Sequence, residues 1–229
     1  MSLPDSVVFL VDVDNTLLNN DHIQDDLRRH LESMFGAACR DRYWVILEDL
    51  MTELGYRDYL GALQRYRTEH PNDIQLSSMS SWLVDYPFAN RLYPGSLDVI
   101  ERFRGWGRTV ILSDGDVVFQ PRKVERSGIK EAVAGHVLIY VHKELALDDV
   151  ERRYPAQHYV MVDDKLRILT AMKKVWGERV TTVFPRQGHY ARDATALAEY
   201  PPADISVERV GDLLNYDVSD LVRPRSVEQ

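Results

Sequence analysis

The sequence predicts an α/β fold in which helices cover both faces of a parallel sheet. Short apolar runs rich in β-branched and aromatic residues are typical of buried strands, and helical patterns alternate with them after residue 93. Such alternation indicates a parallel, doubly wound sheet. A helix that carries Val117, Val118 and Val124 is expected after the second strand. The predicted strands are residues 7–11, 109–112, 137–141, 158–162 and 180–184, with 205–207 as a short final candidate.

The segment between the first two predicted strands has a different pattern. Apolar residues recur at helical spacing in 23–34, 41–54 and 56–66, whereas the polar stretch 71–81 predicts a loop. The segment has no alternating strand pattern, and it is too long for a simple crossover between strands. We therefore expect a helical cap at residues 19–92, inserted into an α/β core formed by residues 1–18 and 93–229.

Composition limits the classes of protein and partner. Hydrophobic residues make up 45% of the 229 residues, enough for a sizeable core in one large domain or one domain with an insert. The net charge of −8 argues against a nonspecific nucleic-acid surface or an anionic membrane surface. The single cysteine, Cys39, excludes an internal disulfide and suits a reducing compartment. With no secretion signal and no run of ~20 apolar residues, we expect a cytoplasmic protein without membrane partners.

Two aspartates follow the first predicted strand. Asp12 and Asp14 lie where an apolar run ends, and buried carboxylates are costly unless a cation or strong donors neutralise them. Ligands of open α/β sheets bind at the carboxyl ends of the strands. Residues two apart in an extended chain point to the same side, so both carboxylates are expected to face one site. The sequence therefore predicts a cation-dependent function at this strand end.

Polar residues also follow the next three strands. Ser113 and Asp114 end the second strand, Lys143 follows the third, and Asp163 and Asp164 end the fourth. A hydroxyl group at a helix N-terminus forms an anion site, although a serine there can also be an ordinary N-cap. Paired carboxylates are hard oxygen ligands suited to Mg²⁺, although acids also cap helices.

These residues match four motifs of one enzyme family in the right order. DVDNTL (12–17), ILSDGD (111–116), Lys143 and VMVDDK (160–165) resemble the motifs of haloacid dehalogenase-like (HAD) hydrolases. The resemblance covers nearly the whole chain. It implies a Rossmann-like core with strand order 5-4-1-2-3, strand one in the centre, and a helical cap after the first motif.

The resemblance also implies the residues that carry out the reaction. It makes Asp12 the nucleophile, and it makes Asp14 the general acid/base. Ser113 is implied to hydrogen-bond the phosphate within a loop that includes Asp114. Lys143 is implied to neutralise the phosphate and the nucleophile.

The same resemblance implies a magnesium site. Asp12 and the backbone carbonyl of Asp14 would bind the ion, with Asp164 as the direct ligand from the fourth motif and Asp163 as its supporting acid. The longer form of that motif has another acid four residues later, where this chain has Ile168. No ligand is therefore expected there.

The third motif departs from the usual family pattern. Many members have proline after the lysine, whereas Glu144 follows Lys143 here. Lys130 and Lys165 are alternative sources of the required cation. Lys130 is expected to be a solvated surface residue, and Lys165 could pair with the neighbouring aspartates.

Several polar neighbours have open roles. Asn15 is expected to shape the first loop, and Thr16 could either hold that loop or lie near the phosphate. After the fifth strand, Arg186 and Gln187 could reach the mouth of the site or face solvent, and His189 is expected to be structural rather than catalytic.

Taken together, the motifs predict magnesium-dependent hydrolysis of a small phosphorylated metabolite through a phosphorylated Asp12. Three alternatives stay open. A haloacid dehalogenase uses the same nucleophile on carbon and needs no magnesium, but Asp14 and the 163–164 pair argue against it. A phosphomutase has the same residues and returns the phosphoryl group to a sugar. A protein without turnover could retain the scaffold to bind phosphate or a partner.

Overall fold

A six-stranded parallel sheet forms the centre of the fold in the computed structural model, which describes residues 5–72 and 76–222. The strand order is β3-β2-β1-β4-β5-β6, with β1 between β2 and β4. This order confirms the predicted doubly wound sheet and the 5-4-1-2-3 arrangement, and it adds the short final strand beyond the fifth. The strands are β1 (Asp5–Val11), β2 (Arg108–Asp114), β3 (Val137–Tyr140), β4 (Ala156–Val162), β5 (Val180–Pro185) and β6 (Ile205–Val207).

Successive residues of β1 face opposite sides of the sheet, as the two-residue period of a strand requires. Val7, Phe9 and Val11 pack into one apolar core, and Val8 and Leu10 pack into the other. Strand β1 is therefore buried on both faces, which explains why its sequence is continuously apolar rather than alternating.

Helices cover both faces. The core on the Phe9 side receives α5, α6, α7 and the helices between β1 and β2, and the core on the Leu10 side receives α8 and α9. The α-helices are α1 (Asn20–Phe35), α2 (Ala37–Leu54), α3 (Tyr59–Glu69), α4 (Leu76–Asp85), α5 (Ser96–Arg104), α6 (Phe119–Arg126), α7 (Ile129–Ala132), α8 (Leu147–Arg153), α9 (Leu166–Trp176), α10 (Ala194–Glu199) and α11 (Val218–Val222).

Two predictions about local structure were wrong. Residues 76–81 belong to α4 rather than to a loop, while 73–75 lie outside the described residues. Met79 and Leu83, four positions apart, are buried on one face of that helix. Val117 and Val118 are 89% and 51% exposed because they precede α6, which begins at Phe119.

The helical segment, residues 19–92, leaves and rejoins the sheet domain at one place. Leu18 and Leu92 form an antiparallel bridge there. The Asn19 N–H donates to the Arg91 carbonyl at 2.8 Å, and the Tyr93 N–H donates to the Leu17 carbonyl at 2.9 Å. The two connecting chains are thus hydrogen-bonded to each other. The interpretation of this segment as a separate cap stays a prediction.

Within the described ranges, every helix is too short or too polar to cross a lipid bilayer.

We predict that Phe103→Ala strongly destabilises the fold. The Phe103 side chain is fully buried on α5, and its ring stacks on Phe9 with 4.4 Å between centroids. Removing the ring leaves a cavity at the central strand, so the free energy of unfolding should fall by about 3–5 kcal/mol in urea titrations.

Val175→Ala is the control for that measurement. Val175 is 60% exposed on α9, so its truncation should change the free energy of unfolding by less than about 0.5 kcal/mol. Equal effects of the two substitutions would contradict the proposed packing of Phe103.

Candidate active site

The carboxyl ends of four neighbouring strands bring the predicted site residues together. Asp12 follows β1, Ser113 lies near the end of β2, Lys143 follows β3, and Asp163 and Asp164 follow β4. All five side chains are buried. This clustering follows directly from the sheet, because parallel strands end at the same edge.

Lys143 lies between two carboxylates. Its Nζ atom is 2.5 Å from Asp12 Oδ1 and 2.6 Å from Asp163 Oδ2. Nζ also donates a hydrogen bond to the Leu112 carbonyl at 3.3 Å. Burial disfavours the charged ammonium, but the carboxylates of Asp12 and Asp163 outweigh burial and raise the pKa of Lys143 well above its ordinary value. Lys143 is therefore a buried cation committed to the acids.

Asp164 differs from the other buried acids because neither carboxylate oxygen has a hydrogen-bond partner within the described residues. By contrast, Asp163 Oδ1 accepts a hydrogen bond from the Lys165 N–H at 2.8 Å. Burial raises the pKa of both Asp163 and Asp164 above the ordinary range. A fully buried carboxylate without donors needs a counter-charge to remain ionised.

Hydroxyl groups hold Asp12 from two directions. Ser113 Oγ lies 3.4 Å from Asp12 Oδ1 and donates to it, and Thr16 Oγ1 donates to Oδ2 at 3.3 Å. Ser113 Oγ accepts a hydrogen bond from Gln120 Nε2 at 2.9 Å, and Thr16 Oγ1 accepts one from the Asp164 N–H at 3.1 Å. Thr16 thus holds the loop by contacting the first and fourth motifs at once.

Asp14 has a partner of its own. Lys123 Nζ donates to Asp14 Oδ1 and Oδ2 at 2.7 and 2.9 Å, and to Asn20 Oδ1 at 3.1 Å. Among the described residues, the Asp14 carboxylate is not part of the acidic cluster formed by Asp12, Asp163 and Asp164. The chain turns immediately after β1, where the Val13 carbonyl accepts hydrogen bonds from three successive backbone N–H groups. The prediction that Asp12 and Asp14 point to the same side assumed an extended chain, and the chain is not extended there.

Sequence reasoning missed Gln120 and Lys123. Both side chains are buried, and they lie three residues apart on α6. The available signal was helical spacing: Lys123 is four residues after Phe119, so both share the buried face of the helix. A lysine on an apolar face is costly without a carboxylate partner, and Asp14 is that partner.

The loop after β5 supports the first motif. Gln187 Nε2 donates to the carbonyls of Asn15 and the next residue at 3.3 and 3.0 Å, and His189 Nδ1 lies 2.7 Å from Asp21 Oδ1. Asn15 has φ of 59°, and its amide donates to Asp21 at 2.9 Å. Gly188 is required here, because a Cβ atom would lie 2.6 Å from the Asn15 side chain.

The remaining predicted residues have structural contacts. Asp114 Oδ1 accepts the Lys143 backbone N–H at 2.7 Å, and burial raises the pKa of Asp114. A phosphate contact of Asp114 stays a prediction. Glu144, which replaces the usual proline, pairs with Arg167 at 2.5 Å, and Lys130 is exposed on the surface.

A cavity of about 340 Å³ opens above these residues. Asp14, Asp164 and Lys165 line it from the sheet side, and Tyr56 and Arg57 line it from the helical segment. Its volume lies within the range of about 300–1,000 Å³ that is typical of small-molecule sites. The helical segment therefore forms part of the wall of a small-molecule cavity.

The buried acids fit a divalent cation. Asp12, Asp163 and Asp164 each offer one oxygen, and these oxygens lie within 4.8 Å of one another. Three carboxylates against the single ammonium of Lys143 leave two negative charges, and both Asp164 oxygens lack donors in the described part of the chain. Hard oxygen ligands of this number suit magnesium, which keeps several waters of its own.

Comparison with known proteins identifies the family. The family model for haloacid dehalogenase-like hydrolases matches residues 7–175, which is more than half of the chain. A solved structure from Burkholderia xenovorans LB400, assigned to the same hydrolases, is 63% identical, with a TM-score of 0.90, and the match covers 94% of this chain and 100% of that one. No curated protein sequence matches the chain. The chain therefore belongs to the haloacid dehalogenase-like hydrolases, as its motifs predicted.

More distant structures share the fold alone. The magnesium-bound HAD hydrolase YfnB of Bacillus subtilis is 14% identical, with a TM-score of 0.61 and coverage of 92% of this chain and 97% of that one. The L-2-haloacid dehalogenase of Xanthobacter autotrophicus is 15% identical, with a TM-score of 0.58 and coverage of 91% and 96%. A magnesium-bound hydrolase and a haloacid dehalogenase thus share this architecture, so the fold alone does not decide the reaction.

We predict that Asp164→Asn stabilises the metal-free protein. The substitution removes a buried carboxylate that has no donors within the described ranges, so the free energy of unfolding in chelator should rise by about 1–3 kcal/mol. Magnesium should then stabilise the wild-type protein in urea titrations and leave the variant unchanged.

Asp49→Asn, at an exposed position on α2, is the control and should behave like wild type in both buffers. A loss of stability in Asp164→Asn with chelator present would show that the carboxylate has a partner in the metal-free state.

Proposed function

We propose that the protein is a magnesium-dependent phosphatase that hydrolyses small phosphomonoesters through a phosphoaspartyl intermediate on Asp12. The observation that carries this proposal is the acidic cluster of Asp12, Asp163 and Asp164, with two Asp164 oxygens that lack donors in the described chain. Attack on a carbon–halogen bond needs no cation, whereas a phosphate dianion beside three carboxylates does. The cluster therefore favours phosphoryl transfer over dehalogenation.

The proposed reaction has two steps. In the first step, an Asp12 carboxylate oxygen attacks phosphorus, and the bond from phosphorus to the leaving-group oxygen breaks as a proton passes from Asp14 to that oxygen. In the second step, water attacks the same phosphorus, Asp14 accepts its proton, and the bond to Asp12 breaks to release inorganic phosphate. Lys143 and the Ser113 hydroxyl hold Asp12 in place throughout.

Magnesium, when bound by Asp12 and Asp164, would screen the negative charge of the phosphate from the carboxylates. Asp164 is assigned as a direct ligand because its oxygens have no other partner in the described chain. Asp163 is held by Lys143 and by the Lys165 N–H, so we assign it as a supporting acid rather than as a direct ligand.

Asp14 must exchange contacts to act in this scheme. Its carboxylate lines the cavity but is paired with Lys123. The Asp14 side chain is 27% exposed, and the Lys123 side chain is 1% exposed. The aspartate, rather than the lysine, is therefore the member of the pair that can turn toward a substrate.

We propose a small substrate without nucleic-acid partners. The cavity of about 340 Å³ has room for a phosphoryl group and a compact leaving group. The net charge of −8 opposes binding of a polyanion. The helical segment would exclude water from the first step when substrate is present.

We predict that Asp12→Asn abolishes turnover, because an amide is not an effective nucleophile for phosphorus. The measurement is magnesium-dependent release of phosphate from an aryl phosphate, compared with release in chelator. A thermal melt of the variant establishes that loss of activity is not loss of fold.

The alternatives are separated by their products. Retained activity in a clean preparation of Asp12→Asn would remove Asp12 as nucleophile. Halide release from a short 2-haloacid in chelator would establish a dehalogenase, and conversion of one sugar phosphate into its isomer would establish a phosphomutase.

We also predict that Asp14→Asn lowers kcat by about 100- to 10,000-fold, the usual worth of a general acid/base. Asp116→Asn is the matched control. Asp116 lines the same cavity, but its carboxylate accepts the N–H groups of Val118 and Phe119, and an asparagine oxygen can replace it in that role. Similar kcat values for both variants would exclude Asp14 as the proton donor.

A further inference from the structure

Three lysines surround the acidic site, and two of them are already committed to carboxylates. Lys143 pairs with Asp12 and Asp163, and Lys123 pairs with Asp14. The third is Lys165, the residue directly after Asp164, which precedes the first turn of α9. Within the described ranges, the Lys165 ammonium makes no direct ion pair or hydrogen bond, and the carboxylates of Asp164, Asp12 and Asp163 act on it only at longer range.

Lys165 is held at the cavity wall by an aromatic ring. Its Nζ atom lies 5.4 Å from the centre of the Tyr190 ring, and both residues line the cavity. A cation over the face of tyrosine is attracted by the negative face of the ring. The ring thus positions the ammonium without neutralising it.

The two arginines that line the same cavity are each paired with a glutamate. Arg57 pairs with Glu48 at 3.1 Å, and Arg167 pairs with Glu144 at 2.5 Å. Among the lysines and arginines that line the cavity in the described structure, Lys165 is therefore the one without a direct ion pair. A partly buried ammonium whose N–H groups have no acceptor is costly, so we expect an oxygen of a ligand to accept a hydrogen bond from it.

We infer that Lys165 is a substrate-binding residue whose ammonium contacts an oxygen of the phosphoryl group from the cavity side. This inference rests on the proposed phosphatase function. It makes Lys165 a second cation of the site, in addition to Lys143. Lys143 is fully buried and does not line the cavity, whereas Lys165 does, so the two ammonium groups serve different sides of the reacting group.

The position of Lys165 favours the phosphoryl group over an anionic leaving group. Lys165 directly follows Asp164, and both residues line the cavity together with Asp114. These are the groups around the attacked phosphorus in the proposed reaction. The two arginines of the wall, Arg57 and Arg167, are paired with Glu48 and Glu144.

The test compares Lys165→Met, Lys165→Arg and Lys174→Met. Methionine keeps the length of the side chain and removes the charge, arginine keeps the charge, and Lys174 is an exposed lysine on the same helix. The readouts are kcat/KM for a neutral aryl phosphate and for an aryl phosphate with a carboxylate on its ring. Calorimetry with inorganic phosphate and magnesium measures binding without turnover.

Loss of one charge-assisted contact should lower kcat/KM of Lys165→Met by about 10- to 100-fold for both esters and weaken phosphate binding by a similar factor. Lys165→Arg should recover most of the loss, and Lys174→Met should match wild type. A loss confined to the carboxylated ester would assign the ammonium to the leaving group and overturn the inference. Equal behaviour of Lys165→Met and Lys174→Met would also overturn it.

Binding and turnover separate this inference from the proposed function. If wild type binds inorganic phosphate and Lys165→Met binds it weakly, the role of Lys165 stands even when neither ester is hydrolysed, and the phosphatase assignment fails alone. If wild type hydrolyses both esters and Lys165→Met matches it, the assignment stands and the role of Lys165 fails. Should Lys165→Met not fold, Lys165→Gln takes its place in the same comparison.

Discussion

The ammonium of Lys143 is the constraint on which the site depends. It is fully buried, with Asp12 at 2.5 Å and Asp163 at 2.6 Å, and Lys143 itself follows β3. Carboxylates this close repel one another strongly in a low-dielectric interior, so without a cation between them the ends of β1 and β4 could not remain in this arrangement. The sheet brings the Asp12 and Asp163 carboxylates close together, and the Lys143 ammonium offsets their repulsion.

A second layer of polar side chains holds the groups that face the cavity. Gln120 and Lys123 extend from one face of α6 and hold Ser113 and Asp14, respectively. Gln187, from the loop after β5, binds carbonyls of the first motif through its amide N–H groups. Its Oε1 accepts the Val210 N–H at 2.6 Å, so the amide is satisfied at both ends. The precision of the site thus comes from two buried amides and a buried lysine that lie outside the motifs.

The sequence allowed the sheet and the clustering of motif residues to be predicted, because both follow from local patterns and one topological rule. Apolar runs indicated the strands, and parallel strands place their carboxyl ends at one edge. That rule brings Asp12, Ser113 and Lys143 together without any knowledge of the side-chain contacts.

The parts that could not be predicted depend on tertiary context. The buried position of Lys123 depends on which face of α6 meets the first motif, and its partner lies 109 residues away in sequence. The serine-rich start of α4 has weak helix propensity, so packing of Met79 and Leu83 decides that helix. The charge state of the cavity wall likewise depends on pairs such as Arg57 with Glu48, which no spacing rule connects.

The bridge between Leu18 and Leu92 also bears on how such a protein can diversify. The helical segment begins and ends at nearly the same point in space, so a change in its length does not by itself require the ends of the flanking strands to move apart. The acids and lysines stay with the sheet, while Tyr56 and Arg57 would be exchanged with the segment. The acids and lysines of the site and the residues that line the cavity from the helical segment are therefore encoded in different stretches of the gene.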